Sequence, residues 1–362
     1  MPLFVDGVAI NQVFVDGVEQ QSVFVDGVQV YSGEVSFDFE ERSLPGLIAL
    51  LHCLAVDPNT GVFVSLGARA ASGDMYAVSS PNGNDFTERS TPFAGAGDEI
   101  TNVTFGDNRF YATGSNQTGN SYCIDALGEG NWVNRPTYPQ FNAGGGIAFG
   151  SNIFATYIGS GQPHSSPTAQ TWTARGASAG APINFELRSF NGNFISVGNV
   201  FGGANPTAID TSTNGTSWIR RTIPESISKV TNDAAYSPES DRWVCVGTPL
   251  AGGAAYIITA EGPSPNVGWT HRPNPFPNAA VLRGCVYIPG FGFIIVGGTD
   301  INFPPEQALI AKSVDGITWE MVTTHPFNNV DSHRYDYVQE HNGKIVIQGN
   351  NTSSLTGIMV SN

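Results

Sequence analysis

The sequence reads as an all-β fold: a seven-bladed β-propeller closed by pairing of its N- and C-terminal strands and preceded by a small β-meander. Three observations carry this. Gly 43 and Pro 23 with only 13% charged residues describe many short strands joined by many turns, not helices. An aromatic followed three positions later by arginine recurs at roughly 40–50-residue intervals, the length of a four-stranded blade. The last copy lacks its final strand, and a matching strand lies near residue 39.

The repeat begins at Phe86-Thr-Glu-Arg89 and continues through Trp132–Arg135, Trp172–Arg175, Trp218–Arg221 and Trp269–Arg272. A sixth copy, Trp319-Glu-Met-Val322, has valine in place of arginine. Each unit shows four strand signals. In the sixth, 284–288 and 291–296 flank the turn Pro289-Gly290, and 308–312 and 318–322 flank Ser313-Val-Asp-Gly316. The C-terminal unit supplies three strands, at 335–338, 344–347 and 357–360, and then stops. Phe39-Glu-Glu-Arg42 fits the missing fourth, so segment 35–42 is expected to pair with 357–360 and remove two sheet edges at once. The propeller is thus assigned residues 34–362.

Residues 1–33 follow a different rule. Phe-Val-Asp-Gly-Val occurs at 4–8, 14–18 and 24–28, and Asp-Gly between β-branched residues is a strong two-residue hairpin signal. The turns are placed at Asp6-Gly7, Asp16-Gly17 and Asp26-Gly27. Strands this short bury little core, so the segment is expected to act as an anchor or oligomerisation element that gains stability by pairing with something larger.

The turn between third and fourth strands carries a family signature. Ser313-Val-Asp315-Gly316-Ile-Thr318-Trp319 resembles the Asp-box of sialidase-type (BNR) propellers, one residue shorter between Asp and Gly. Ser212 to Trp218, with Asn214 and Gly215, and Ser80 to Phe86, with Asn82 and Gly83, are degenerate versions. The expected role is structural: the Asx side chain caps the turn, glycine supplies positive φ, and the aromatic packs between blades. The N-terminal units resemble segments of bacteriophage tail and fibre proteins.

The resemblance to sialidases implies an arginine triad, a Tyr/Glu nucleophile pair and an acid/base. No matching Arg-Ile-Pro occurs; Arg221-Thr-Ile-Pro224 is near it in letters, but Arg221 already belongs to the blade repeat, whose arginines read as packing and ion-pairing groups. No pair of carboxylates is placed together by sequence, whether Asp98 and Glu99 or Asp331 and Asp336. The polar tail His325, Asp331, His333, Asp336, Glu340 and His341 matches no metal-ligand spacing. Cys53, Cys123, Cys245 and Cys285 lack C-x-x-C spacing and read as buried small hydrophobes. No enzyme, cofactor or metal is expected.

A net charge of −15 disfavours nucleic acid and anionic membrane surfaces, no apolar run is long enough to span a bilayer, and the start lacks a secretory signal. Gly-, Ser- and Asn-rich loops are expected to share one propeller face and to form a recognition surface. Tyr138, His164, Phe201, Phe276, Phe303 and Phe327 are its candidate contact residues; for Tyr138, Phe276 and Phe327, in the loops between blades, plugging of gaps is the favoured role and sugar stacking the alternative. The function expected from these features is a non-enzymatic phage virion protein of tail fibre or receptor-binding type, made in the host cytoplasm. Residues 1–33 would join other virion proteins, the loops would meet a host cell-surface glycan or protein, and trimers would add avidity. The alternatives are a capsid decoration or connector protein and a sialidase-like glycosidase.

Overall fold

A computed structural model describes the strands and most tight turns. Residues 1–2, 70–73, 93–97, 117–119, 139–144, 159–161, 177–181, 201–206, 224–228, 250–254, 263–267, 277–279, 300–306, 327–332 and 352–355, some shorter stretches, and all side chains before residue 37 lie outside the description. Among the described residues there are seven four-stranded antiparallel sheets and three two-stranded ones.

The seven sheets are propeller blades. Their inner strands are Ile48–Val56, Glu99–Gly106, Ile147–Gly150, Pro182–Phe190, Lys229–Ser237, Ala280–Ile288 and His333–His341. Each inner strand packs against the next, and the seventh returns to the first. In four of the blades a two-residue turn joins first and second strands. Asp107-Asn108, Ser151-Asn152, Asn191-Gly192 and Asn342-Gly343 all take positive φ at both positions, the geometry that matches strand twist.

The closure expected from the sequence is present. Phe39–Arg42 is the outer strand of the seventh blade, with Phe39 opposite Ser361, Glu40 opposite Val360, Glu41 opposite Met359 and Arg42 opposite Ile358. Phe39 is 5% exposed and packs with Ile288, Ile294 and Tyr335, so the seam is apolar as well as hydrogen-bonded.

The core is divided into seven wedges, one at each junction between neighbouring blades. An aromatic or isoleucine opening each second strand fills them: Phe63, Phe110, Phe154, Phe194, Trp243, Phe293 and Ile345 are all essentially inaccessible to solvent. All four cysteines are buried and free.

The N-terminal segment forms three hairpins with two-residue loops: Leu3–Val5 with Val8–Ile10, Val13–Val15 with Val18–Gln20, and Ser22–Val25 with Val28–Ser32. Each is its own sheet among the described residues. A two-residue loop closes each hairpin, but consecutive hairpins are not hydrogen-bonded to one another among the described residues. The turn residues Asp6, Gly7, Asp16, Gly17, Asp26 and Gly27 lie outside the described residues.

Candidate functional site at the propeller axis

Six of the seven inner strands share a defect. Their pairing with the second strand slips by one residue, a β-bulge, between Leu51 and Cys53, Ile100 and Asn102, Asn184 and Glu186, Thr231 and Asp233, Leu282 and Gly284, and Tyr335 and Tyr337. A bulge breaks the in–out alternation and re-aims a side chain. The skipped residues include His52, Asn232, Arg283 and Asp336. These four, with Glu186, Arg334 and Asn350, line a cavity of about 400 Å³.

The cavity lies at the end of the ring where inner strands begin and second strands finish, since its lining includes the cross-strand pairs Val230–Thr248 and Arg334–Asn350. The segments expected to carry recognition loops leave from this end. Solvent reaches the site: the Arg283 and Arg334 side chains are 37% and 27% exposed.

Asp336 is the hub of one wall. Arg334 Nε donates to Asp336 Oδ1 at 3.1 Å, and the Asn350 amide donates to Asp336 Oδ2. Arg283 Nε lies 3.2 Å from the same Oδ1, but its N–H is not aligned for a hydrogen bond and stays buried without a partner. The charge attraction is real at that distance, while the donor is unsatisfied. Asn232 commits its amide nitrogen to Thr248 Oγ1 and the Leu282 carbonyl, both at 2.6 Å.

Behind the cavity runs a second network. Glu186 accepts from Asn102 Nδ2 at 2.6 Å and lies 3.2 Å from Arg188 Nε. Arg188 reaches Asp233 with Nε and Nη2 at 3.1 and 3.2 Å. Asp233 accepts in turn from the backbone N–H of Ala234 and of Cys285 in the next blade, and Asn102 Oδ1 accepts from the Ile147 N–H. Buried charges persist only when paired and hydrogen-bonded, and this set is. Burial pushes the Glu186 carboxyl up; Arg188 and the Asn102 hydrogen bond oppose the shift, and Asp233 adds to it. Burial pulls His52 below its ordinary value, against Glu99 and Asp336.

The expected surface aromatics lie elsewhere. Tyr138 is 2% exposed, its hydroxyl is 2.7 Å from Thr156 Oγ1, and its ring meets Trp172 edge-on at 5.3 Å. Phe276 is buried in the wedge between the fifth and sixth blades. Both plug gaps between blades, the role favoured for their loops, and the sugar-stacking alternative is corrected: an aromatic ring gains more by filling a wedge than by standing in water. His164 sits in the third strand Gln162–Ser166, 5% exposed, with Nδ1 3.2 Å from the Gln162 carbonyl, and is corrected likewise. Phe201, Phe303 and Phe327 lie outside the described residues.

The Asx turns are built as expected, at the opposite end of the ring from the cavity. Asp315 Oδ1 accepts from the N–H of Ile317 and Thr318 at 2.8 and 2.7 Å. Asn214 Oδ1 does the same for Thr216 and Ser217, and Asn82 Oδ1 for Asn84 and Asp85. Gly83, Gly215 and Gly316 have φ of 76°, 68° and 70°. A Cβ on Gly316 would meet Val244 Cγ2 at 2.9 Å and Phe293 at 3.1 Å, so the glycine is also wedged between blades. Trp319 is 9% exposed and packs in the same junction.

The repeated arginines mostly tie third and fourth strands within a blade. Nε of Arg89, Arg175, Arg221 and Arg272 donates to Ser79, Ser165, Thr211 and Thr259 at 2.6–2.8 Å. Arg135 grips Asp125 with two bonds, and Arg89 also pairs with Glu129 of the neighbouring blade at 2.9 Å. The polar tail is dispersed by its strand: Asp336 faces the cavity, Glu340 accepts from the Gly343 N–H in the opposite turn, and His325 lies 3.0 Å from the Tyr335 hydroxyl. Among the described residues no group of three His, Cys, Asp or Glu side chains is placed to hold a metal, and no helix is long and apolar enough to cross a membrane.

Asn102, Glu186, Asp233 and Asp336 lie in inner strands that hold several other polar residues, so the sequence alone does not single them out.

No protein-family model and no curated protein sequence matches the chain. Solved structures do. One described as YCF48 bound to D1 peptide aligns with a TM-score of 0.61 at 15% identity, over 90% of this chain and 96% of that one. A catalytically inactive variant of virginiamycin B lyase from Staphylococcus aureus, with quinupristin, gives 0.61 at 11%, over 89% and 98%. The BP39L lectin from Burkholderia pseudomallei gives 0.61 at 12%, over 87% and 96%. At these identities the likeness establishes the class, a seven-bladed β-propeller, and nothing narrower.

Proposed function

We propose that this chain is a non-enzymatic virion protein of the phage tail fibre or receptor-binding type, whose ring binds a host surface glycan or protein and whose residues 1–33 attach it to the particle. The observation that carries the reading is the seam. The propeller is complete from Phe39 onward, so the three hairpins before it are not needed to close the ring and are left for another task. Their Phe-Val-Asp-Gly-Val repeat resembles phage fibre segments, and the turns at Asp315, Asn214 and Asn82 resemble the Asp-box. A binding role is further supported by the axial cavity, whose carboxylates are engaged by the protein's own arginines and amides. Propellers of similar fold include a lectin and a peptide complex.

The test is deletion of residues 1–33. The truncated ring is expected to fold with an unchanged β spectrum and to fail to join particles assembled with it. Assembly of the truncated protein at the full-length level would overturn the anchor, and turnover of a bacterial polysaccharide with release of reducing ends would overturn the non-enzymatic assignment.

A further inference from the structure

The geometry points to a specific ligand chemistry for the axial cavity: we infer that it takes the primary carboxamide of a glutamine or asparagine side chain offered by a protein partner, with the carbonyl oxygen on Arg283 and the two N–H groups on Asn232 and His52. This deepens the binding role proposed for the ring and rests on it, and it is independent of what residues 1–33 do.

Unused hydrogen bonding is the first argument. Among the described residues the terminal amino groups of Arg283 make no hydrogen bond, and its side chain is 37% exposed, so its fork is open to the cavity. Asn232 has spent its amide nitrogen on Thr248 and the Leu282 carbonyl, and its own carbonyl oxygen is unused. His52 makes no hydrogen bond among the described residues, and its ring, which burial keeps neutral, retains one nitrogen as an acceptor. The three groups converge. Asn232 is bonded to Leu282, the residue before Arg283, and His52 is close enough to feel the charge of Asp336, which lies 3.2 Å from Arg283.

One open donor fork and two open acceptors call for a ligand with one acceptor and two donors. A primary carboxamide has that set: one carbonyl oxygen and two N–H groups. A carboxylate only accepts and leaves Asn232 and His52 unmatched; an ammonium only donates and leaves Arg283 unmatched.

Charge is the second argument. In the cavity and the network behind it the guanidiniums of Arg188, Arg283 and Arg334 stand against the carboxyls of Glu186, Asp233 and Asp336. Glu99 acts on His52 from an exposed position, where water screens it. An entering charge of either sign would give up its hydration with no excess of the opposite sign to receive it. The fitting group is therefore neutral. Free glutamine brings an ammonium and a carboxylate with its amide, whereas a glutamine within a polypeptide brings neither. Leu51 and Val230 also line the cavity and give the methylenes of such a side chain an apolar wall. The volume of about 400 Å³ admits one side chain and the backbone that carries it.

The experiment is titration of the full chain, followed by heteronuclear NMR and calorimetry, with N-acetyl-L-glutamine methylamide. Its glutamate and lysine counterparts, free L-glutamine and methyl glucoside are titrated alongside. The blocked glutamine is expected to bind, and each of the others to bind more weakly by about tenfold or more. Arg283→Gln is expected to lower its affinity by about tenfold or more, and Asp336→Asn, which removes one carboxylate, to narrow the gap between the glutamate and glutamine probes. Should Arg283→Gln fail to fold, His52→Phe, which removes an acceptor that no described residue uses, gives the same readout. The inference is overturned if the blocked glutamine does not bind, if the glutamate probe, free glutamine or the glucoside binds as tightly, or if the variants bind it unchanged. Particle assembly without residues 1–33 and turnover of a polysaccharide bear on the proposed role and move none of these affinities, so the two readings fail separately.

Discussion

Asn102 of the second blade donates a 2.6 Å hydrogen bond to Glu186 of the fourth, reaching past the short inner strand of the third. That strand, Ile147–Gly150, is the one inner strand with no register shift, and its Ile147 N–H is held by the other end of the same Asn102 amide. One side chain thus ties three blades at the axis. Replacing it by Asn102→Asp sets a second carboxyl against Glu186, with Arg188 already shared with Asp233. The variant is expected to lose about 3 kcal/mol or more at neutral pH, and less in acid, where one of the two carboxyls keeps its proton. Urea denaturation at about pH 5 and about pH 8 checks the difference; an equal loss at both would show that charge is not the cause.

The seam predicts a second effect. Phe39 supplies the apolar part of the closure, so Phe39→Ala is expected to destabilise the ring by about 3 kcal/mol or more through the cavity it leaves. Thermal unfolding of the variant measures this. A melting temperature equal to the parent's would mean that the ring does not depend on the closing strand.

A third concerns two glycines that differ only in surroundings. Gly316 and Gly343 both have positive φ, 70° and 81°. A Cβ on Gly343 meets nothing within 4 Å, whereas on Gly316 it strikes Val244 and Phe293. Gly343→Ala is expected to cost about 1 kcal/mol of backbone strain. Gly316→Ala adds the steric term and is expected to cost visibly more in the same denaturant titration, typically about 1–3 kcal/mol beyond it.

Glu340 gives a pH dependence with a definite sign. Burial raises its carboxyl from 4.5 to about 7, against the hydrogen bond from the Gly343 N–H. The folded state therefore holds a proton that the unfolded chain releases. Stability linked to this group is whole below 4.5 and is lost as pH climbs to about 7. Glu340→Gln, which cannot ionise, is expected to flatten the fall in stability over that window. A stability profile in which parent and variant stay parallel from about pH 4 to about pH 8 would refute it.

The ring itself was legible because its signals are local and repeated. The spacing of Phe86, Trp132, Trp172, Trp218, Trp269 and Trp319 gave the blade length, Asn191-Gly192 and Asn342-Gly343 gave the turns, and the unmatched Phe39-Glu-Glu-Arg42 gave the closure. The axial site was not legible, because a bulge is a property of two paired strands and not of one. Whether Arg283 or Asp336 turns toward the axis depends on the register of 292–299 and 344–351, which a single strand's alternation cannot fix. For Tyr138 and Phe276 wedge filling was the favoured role but a surface role stayed open, because aromatic residues near prolines look the same in sequence whether they cap a loop or fill a wedge.

The four paired residues at the seam also decide how the molecule answers force. The polypeptide joins the propeller at the outermost strand of one blade, so a tug on residues 1–33 directed away from the ring arrives at Phe39, whose partner Ser361 is the end of the ladder. The load falls on one pair after another, as in a strip peeled from its edge, while the inner strands around the axis carry none of it. The circumference of the disc is its mechanical fuse, and the cavity at the centre is the part furthest from the break.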